Sequence, residues 1–309
     1  MNIELPGTAG PAGWPETGCR CASCSRLRTA GVRYEPFRAL IDGVPLTACP
    51  QEEVPGGRDV RAPSGGRVLV ADPGGRPEPR GAYDAVLLDP AVPDQLGRLR
   101  RLGAVRPGTR ISFVHLDHRL RSPEELERRL SHWLAPVPGP HRTLLLGGTR
   151  SGKSAEAELR LAACPDVTYL ATSAPRDDAE WNARVEAHRR RRPSWWRTAE
   201  TTALAEALEG AEGAVLVDGI GTWLAAAIDE AGAWDDPYAV LPRLDELVGA
   251  WRRTGARVIA VSDEVGLSLV PTTSSGRAFR DLLGHLNQRL AAESEEAALV
   301  VAGRAVELP

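Results

Sequence analysis

Lysine is almost absent from this chain of 309 residues, and aromatic residues and long apolar runs are also scarce. Aromatic side chains form 5% of the sequence, too few for the stacking platforms that bind single-stranded nucleic acid. No apolar run approaches the roughly 20 residues that cross a bilayer. The net charge of −3 argues against a general nucleic-acid binder. We therefore expect neither membrane insertion nor nucleic acid as a partner.

The N-terminal residues and the arrangement of the cysteines indicate the cellular compartment in which we expect the protein. Residues 1–6 lack the basic and apolar regions of a signal peptide, so we expect a cytoplasmic protein. Three of the five cysteines, Cys19, Cys21 and Cys24, form a C-x-C-x-x-C cluster. In a reducing compartment, such a cluster favours a metal site over a set of disulfides.

The one lysine, Lys153, lies in a motif that is typical of phosphate binding; the other 37 of the 38 basic residues are arginines. The pattern G-x-x-x-x-G-K-[ST] is formed by Gly147, Gly148, Thr149, Arg150, Ser151, Gly152, Lys153 and Ser154. A slim ammonium reaches β- and γ-phosphate oxygens inside a nest of backbone N–H groups, where a planar guanidinium would fit poorly. The alternative interpretation is a plain glycine-rich turn.

Two parts of the chain differ in composition and in the pattern of predicted elements, which predicts two domains, 1–140 and 141–309. The first is rich in glycine and proline, with β-like runs at 67–71 and 85–88 and a helix over 122–134, so we expect a small β-rich α+β module. The second alternates between strands and helices. Its predicted strands are 142–146, 166–171, 213–217, 256–262 and 297–302. Its predicted helices are 153–163, 178–191, 203–209, 221–231, 237–254 and 275–292.

This alternation predicts an α/β fold of the P-loop NTPase type, with a mostly parallel sheet and helices on both faces. The phosphate motif would then lie between a strand and the N-terminus of a helix, where unpaired amides favour an anion. Asp218 ends the third predicted strand of this domain. In such a fold an acid at this position binds Mg²⁺ together with Ser154, although a strand-ending Asp can also be a simple cap or turn residue.

A histidine followed by four arginines is the second chemical signal. His188 precedes Arg189, Arg190, Arg191 and Arg192. Cationic neighbours lower the pKa of an imidazole, which keeps the ring neutral and nucleophilic near pH 7, and arginines can hold a triphosphate. The alternative is a solvated basic helix face that carries a surface histidine.

Several ordered motifs in the second half resemble those of the bifunctional adenosylcobinamide kinase/adenosylcobinamide-phosphate guanylyltransferase family. They are the phosphate motif and the segments 169–173, 184–192, 196–200, 261–266, 270–271, 279–281 and 286–291. The resemblance implies that a nucleoside triphosphate, ATP or GTP, phosphorylates adenosylcobinamide. It further implies that GMP passes from GTP through a histidine-GMP intermediate to adenosylcobinamide phosphate, which gives adenosylcobinamide-GDP in cobalamin biosynthesis.

The resemblance also implies roles for single residues. His188 would be the guanylylated histidine, and Lys153 and Asp218 would serve catalysis. Other expected nucleotide contacts are Ala171, Thr172, Ser173, Arg189, Arg190, Arg191, Arg192 and Glu200, of which Glu200 could accept hydrogen bonds from the guanine edge. The chain departs from the family pattern at Asp263, where Asn is usual, and Glu264 beside it could assist the acceptor or be structural. The family suggests a homotrimer.

The first half resembles metallo-β-lactamase-fold phosphodiesterases in the segments 7–10, 13–15 and 114–118. The resemblance implies a structural zinc on Cys19, Cys21, Cys24 and His118, the alternative being reduced surface thiols. The H-x-H-x-D-H run that holds two catalytic metals in that fold does not occur in the sequence. We therefore expect a shortened, non-catalytic module.

Two other functions fit the motifs less fully. A P-loop kinase of another small alcohol would use the phosphate motif and leave His188 a structural role. A nucleotide-sensing module would bind GTP without turnover, which the His-Arg segment argues against.

Overall fold

The protein is represented by a computed structural model that describes residues 1–135, 137–172, 186, 189, 190 and 192–309. It contains two compact units, Met1–Pro136 with Ala162–Pro165, and Val137–Leu161 with Asp166–Pro309. Among the described residues, no helix combines the length and the apolar character that crossing a membrane requires.

The first unit contains two small sheets. One is antiparallel, with the order β1-β2-β3; in the other, β4-β5-β6-β7-β8, the pairs β6-β7 and β7-β8 are parallel and the rest antiparallel. The strands are β1 (Ile3–Gly7), β2 (Arg38–Ile41), β3 (Val44–Pro45), β4 (Gln51–Val54), β5 (Gly57–Arg61), β6 (Arg67–Ala71), β7 (Ala85–Leu88) and β8 (Arg110–Phe113). The helices are α1 (Ala22–Ala30), α2 (Gln95–Arg101) and α3 (Pro123–Leu134), with a 3-10 turn at Leu46–Ala48.

The second unit is built on a seven-stranded sheet with the order β11-β10-β12-β13-β9-β14-β15. Every neighbouring pair is parallel except β14-β15, which forms an antiparallel hairpin. The strands are β9 (His141–Gly147), β10 (Val167–Ala171), β11 (Arg197–Glu200), β12 (Ala214–Asp218), β13 (Arg257–Asp263), β14 (Glu296–Val301) and β15 (Arg304–Leu308). The helices are α4 (Lys153–Leu161), α5 (Leu204–Glu209), α6 (Ile220–Ala231), α7 (Leu241–Arg253) and α8 (Ser274–Ala292), with a 3-10 turn at Pro237–Val240.

The predicted fold class is confirmed: a mostly parallel sheet with helices follows a smaller β-rich unit. The five strands and the helices predicted in the second half coincide with β9, β10, β12, β13, β14 and α4 to α8 to within a few residues. The predicted helix 178–191 lies mostly outside the described residues. The strands β11 and β15 were missed.

Both missed strands lie at the edges of the sheet. All four side chains of β11 are exposed, so this strand lacks the apolar alternation that marks a half-buried strand. β15 returns from β14 through Ala302 and Gly303, which have φ of 50° and 71°. This left-handed pair is the signature of a tight hairpin, and the glycine at 303 is the sequence signal for it.

The sheet topology assembles the functional edge. Because β9, β10, β12 and β13 are parallel neighbours, their carboxyl ends meet at one edge of the sheet, where open α/β sheets bind ligands. The last residues of these strands are Gly147, Ala171, Asp218 and Asp263. The chain therefore presents a glycine loop and two carboxylates side by side.

Arg160 joins α4 to the β14-β15 hairpin through a buried ion network. Its side chain is 1% exposed and lies 2.9 Å from Glu156 of the same helix, 3.3 Å from Glu296 and 2.6 Å from Glu307. Glu156 is itself buried. Removing the cation would therefore break this ion pair at a buried carboxylate.

We predict that Arg160→Ala lowers the free energy of unfolding by about 3–5 kcal/mol, measured by urea denaturation of the whole chain. Arg253→Ala is the matched control, because Arg253 pairs with Glu209 where both side chains are about half exposed. The control should cost less than about 1 kcal/mol. Equal effects of the two substitutions would contradict the role given to Arg160.

Candidate functional site

Two glycines of the loop 147–152, Gly147 and Gly152, lie where a larger residue would not fit without strain. A Cβ on Gly147 would lie 2.6 Å from the carbonyl oxygen of Val300, and Gly152 has φ of 100° with Gly303 directly behind it. Arg150 also takes a left-handed conformation, with φ of 58°. The N–H of Gly303 donates to the carbonyl of Ser151 at 2.7 Å, so the β14-β15 turn supports the loop from behind. The loop then enters α4 at Lys153.

Lys153 is held by a carboxylate in this structure. Its Nζ lies 2.8 Å from Oδ1 of Asp263 and donates to the carbonyl of Gly148 at 3.2 Å. The Asp263 backbone is fixed as well, because its carbonyl accepts from the side-chain amide of Asn287 at 3.1 Å. The ammonium expected to contact phosphate thus has an anionic partner at the adjoining strand end.

Ser154 and Asp218, the predicted magnesium residues, lie in contact. The Ser154 hydroxyl donates to Oδ1 of Asp218 at 3.3 Å. The other carboxylate oxygen, Oδ2, accepts a hydrogen bond from the hydroxyl of Tyr169. Tyr169 is buried, and burial together with the charge of Asp218 raises its pKa, so the phenol remains protonated and donates. The ring of Tyr169 carries the guanidinium of Arg192, whose central carbon is 3.5 Å from the ring centroid.

The ends of β10 and β11 carry the other expected nucleotide contacts. Ala171 and Glu200 are register partners, and the Glu200 side chain is exposed. Thr172 is fully buried, and its hydroxyl is 2.6 Å from the carbonyl of Gly219 and 2.7 Å from Oγ1 of Thr222. Thr172 therefore fastens the end of β10 to the start of α6.

Three predicted site residues, Ser173, His188 and Arg191, lie outside the described residues. Arg189 and Arg190 are exposed, and Nε of Arg190 lies 3.2 Å from Glu186. Of Arg189, Arg190 and Arg192, the arginines of this run that the structure describes, Arg192 contacts Tyr169.

The cysteine cluster of the first unit brings its sulfur atoms together. The Sγ atoms of Cys19, Cys21 and Cys24 lie within 4.8 Å of one another. Cys21 caps α1, and its Sγ accepts from the N–H of Cys24 at 3.4 Å, which lowers the pKa of the Cys21 thiol. Burial raises the pKa of Cys24 to about 11. The lowered pKa of Cys21 favours its thiolate, which is the form of cysteine that binds metal.

His118 meets the cluster through Cys19. Its Nδ1 lies 3.1 Å from Oε2 of Glu16, and Glu16, Cys19 and His118 form a second group of ligand atoms within 4.8 Å. The neighbouring histidine, His115, is turned elsewhere, since its Nε2 is 2.9 Å from the carbonyl of Ala71. Glu16 was missed by the sequence reasoning, because an isolated acid in a loop carries no signal of its own.

Tyr169 and Asp263 are further residues whose contacts the sequence did not predict. The available signal for Tyr169 was a phenol in a mostly apolar strand, since a buried hydroxyl requires a partner. The signal for Asp263 was a charged residue at the end of a predicted strand, which the parallel sheet places beside the phosphate motif. For Glu264, the structure favours the structural alternative, because Oε1 accepts the N–H of Gly266 at 2.8 Å.

Comparison with known proteins relates the second half of the chain to one family. A family sequence model described as cobinamide kinase / cobinamide phosphate guanyltransferase matches residues 143–308. A protein of Salmonella typhimurium named bifunctional adenosylcobalamin biosynthesis protein CobU is 40% identical over 178 residues, which cover 53% of this chain and 98% of that protein. The Escherichia coli protein of the same name is 36% identical over 178 residues, with the same coverage. The Pseudomonas aeruginosa protein CobP is 39% identical over 168 residues, which cover 52% of this chain and 94% of its own length.

We predict that Asp263→Asn tightens the binding of GTP. The carboxylate competes with phosphate for Lys153 and adds repulsion at the same place, so its neutralisation frees the ammonium. For a partly exposed ion pair worth about 1 kcal/mol, the Kd should fall about fivefold, measured by titration calorimetry.

Asp235→Asn is the control for the change in net charge. Asp235 is exposed and lies past the far end of α6. An unchanged or higher Kd in Asp263→Asn would show that the carboxylate supports the lysine in its contact with phosphate instead of competing for it.

Proposed function

Because the chain belongs to the cobinamide kinase / cobinamide phosphate guanyltransferase family, we propose that it catalyses both reactions of that family. A nucleoside triphosphate phosphorylates the aminopropanol hydroxyl of adenosylcobinamide, and GMP from GTP is then joined to the phosphate. The observation that carries this proposal is the single lysine at the end of a glycine loop, next to two strand-ending carboxylates. ATP and GTP are both proposed phosphate donors for the first step.

The loop 147–154 would bind the β- and γ-phosphates in both reactions. Its backbone N–H groups lie at the N-terminus of α4, where the helix dipole favours negative charge. Lys153 would leave Asp263 and contact the phosphate oxygens. In the first reaction the substrate hydroxyl attacks the γ-phosphorus, its proton passes to solvent, and the bond between that phosphorus and the β–γ bridging oxygen breaks.

Ser154 and Asp218 fit a magnesium ion, because a hydroxyl and a carboxylate are the hard oxygen donors that Mg²⁺ prefers. When bound there, the ion would neutralise charge on the β- and γ-phosphates. Asp218 is oriented by Tyr169, and Ser154 lies in the first turn of α4.

GMP transfer would use His188 as the nucleophile. A ring nitrogen attacks the α-phosphorus of GTP, pyrophosphate leaves, and the ring proton passes to solvent. The phosphate of adenosylcobinamide phosphate then attacks the same phosphorus, the N–P bond breaks, and the departing ring nitrogen takes a proton from solvent, which restores His188 as the free imidazole. Arg189, Arg190, Arg191 and Arg192 would neutralise the departing pyrophosphate.

The nucleotide base would lie toward the ends of β10 and β11. Glu200 at the end of β11 is exposed and can accept hydrogen bonds from the guanine N1–H and N2–H₂. Ala171, Thr172 and Ser173 would form the floor beneath the nucleotide. A homotrimer, as the family resemblance implies, is proposed as the assembly.

The first unit is proposed to be a non-catalytic module with a structural zinc. Cys19, Cys21 and Cys24 supply three sulfur ligands, and tetrahedral zinc takes a fourth, for which His118 is proposed and Glu16 is the neighbouring competitor. Bound zinc would fix the chain at the N-terminus of α1.

We predict that GTP labelled at the α-phosphate transfers label to the protein, and that this label is acid-labile and alkali-stable. His188→Ala should abolish the labelling and the formation of adenosylcobinamide-GDP but leave the phosphorylation of adenosylcobinamide within about threefold, because the loop 147–154 is unchanged. Products are read by mass spectrometry.

Label that persists in His188→Ala would place the nucleophile elsewhere. A wild-type protein that phosphorylates another alcohol and forms no histidine-GMP would instead establish the alternative, a P-loop kinase without guanylyltransferase activity.

For the zinc site, we predict about one zinc per chain in the protein purified without added metal, measured by atomic emission. Cys21→Ser should remove most of it and lower the melting temperature. The control Cys49→Ser, a buried cysteine whose Sγ faces the carbonyl of Pro45, should keep its zinc. A metal-free wild type would establish the alternative of reduced thiols.

A further inference from the structure

Tyr169 connects two groups that the proposed function places on the nucleotide. Its side chain spans from the sheet to the site, and only 4% of the residue is exposed. The hydroxyl donates to Oδ2 of Asp218, and the ring face carries the guanidinium of Arg192 at 3.5 Å. One buried residue therefore contacts both the proposed metal carboxylate and the proposed phosphate-binding arginine.

We propose that Tyr169 is a positioning residue of the nucleotide site, whose hydroxyl sets the orientation of Asp218 and whose ring holds Arg192 beside it. This rests on the proposed function, which gives Asp218 its metal role and Arg192 its phosphate role. Tyr169 itself touches neither substrate nor metal.

The hydroxyl restricts the rotation of the Asp218 carboxylate. Oδ1 is engaged by Ser154 at 3.3 Å and Oδ2 by Tyr169, so turning the carboxylate would break both contacts. A phenol suits this task because it donates a hydrogen bond without adding positive charge that would repel a cation.

The ring presents Arg192 in a form that suits phosphate. A guanidinium stacked on an aromatic face keeps its N–H groups pointing outward in its own plane, where they can bind oxygen in pairs. Among the residues that the structure describes, the buried Nη1 atom of Arg192 has no hydrogen-bond partner. A buried cationic donor of this kind is costly unless an acceptor arrives, and a phosphate oxygen is the acceptor that the site implies.

A similar triad in the first unit provides the control. The hydroxyl of Tyr83 donates to Asp59 at 3.1 Å, and the guanidinium carbon of Arg67 lies 4.5 Å from its ring centroid. In that triad, however, Arg67 forms an ion pair directly with Asp59, so its positive charge already has an anionic partner. Tyr83 belongs to no proposed site.

The test compares Tyr169→Phe, Tyr169→Leu and Tyr83→Phe by titration calorimetry with GTP, with and without Mg²⁺, and by kinase assay at varied Mg²⁺. Tyr169→Phe keeps the ring and loses the hydroxyl. We expect the half-saturating Mg²⁺ concentration to rise about tenfold, since one hydrogen bond to a charged group is lost, while GTP affinity without Mg²⁺ stays within about twofold. Tyr169→Leu should in addition weaken Mg²⁺-free GTP binding about fivefold, because the support of Arg192 is lost.

Arg192→Lys should reproduce the second effect alone, with an unchanged Mg²⁺ requirement, and Tyr83→Phe should show neither. Melting temperatures without nucleotide show whether each variant is folded. The proposal is overturned if Tyr169→Phe lowers kcat or stability but leaves the Mg²⁺ requirement as in the wild type, which is the pattern of a purely structural residue. A wild-type protein without either activity would refute the proposed function, whereas the Mg²⁺ dependence of GTP binding would still decide the role of Tyr169.

Discussion

The parallel register of β9, β10, β12 and β13 is the constraint on which the candidate site depends. Since these strands run in one direction, their last residues lie at one edge, and the sequence uses that edge for a glycine, two acids and the turn into α6. Residues far apart in the chain become neighbours for this reason: Ser154 follows the loop after β9, and Asp218 ends β12. A slip of one residue in β12 would turn the Asp218 side chain to the other face and separate it from Tyr169 and Ser154.

Both carboxylates at this edge have partners within the chain. Lys153 is paired with Asp263, and Asp218 is held by two hydroxyl donors, Ser154 and Tyr169. A triphosphate brings several negative charges, so binding must redistribute these contacts, with Lys153 as the group that changes partner. The Asp263 carboxylate is 41% exposed and can be hydrated when the lysine leaves, which keeps the cost of that exchange small.

The parts of the site that consist of consecutive residues could be predicted from the sequence. The glycine motif is contiguous in the chain, with a left-handed φ at Gly152, and Asp218 directly ends an apolar strand, so both could be predicted. The contacts of Tyr169 could not, because Asp218 is 49 residues further along the chain and only the sheet brings the two together. The same holds for Glu16 beside His118. The strand β11 was not predicted because all of its side chains are exposed, so it has no alternating apolar pattern.

One phosphate cradle can serve two reactions at different phosphorus atoms. In the proposed kinase step the γ-phosphoryl group leaves the loop with the acceptor. In the proposed guanylyl step the β- and γ-phosphates together are the leaving group, so the same loop and Lys153 stabilise the charge that develops on pyrophosphate. What the second reaction adds is a nucleophile for the α-phosphorus and cations beside it, and the His-Arg segment supplies both residue types. Arg192, at the end of that segment, lies over the ring of Tyr169, whose hydroxyl donates to Asp218, so this arginine is connected to the proposed phosphate site, as one nucleotide pocket shared by both proposed reactions would require.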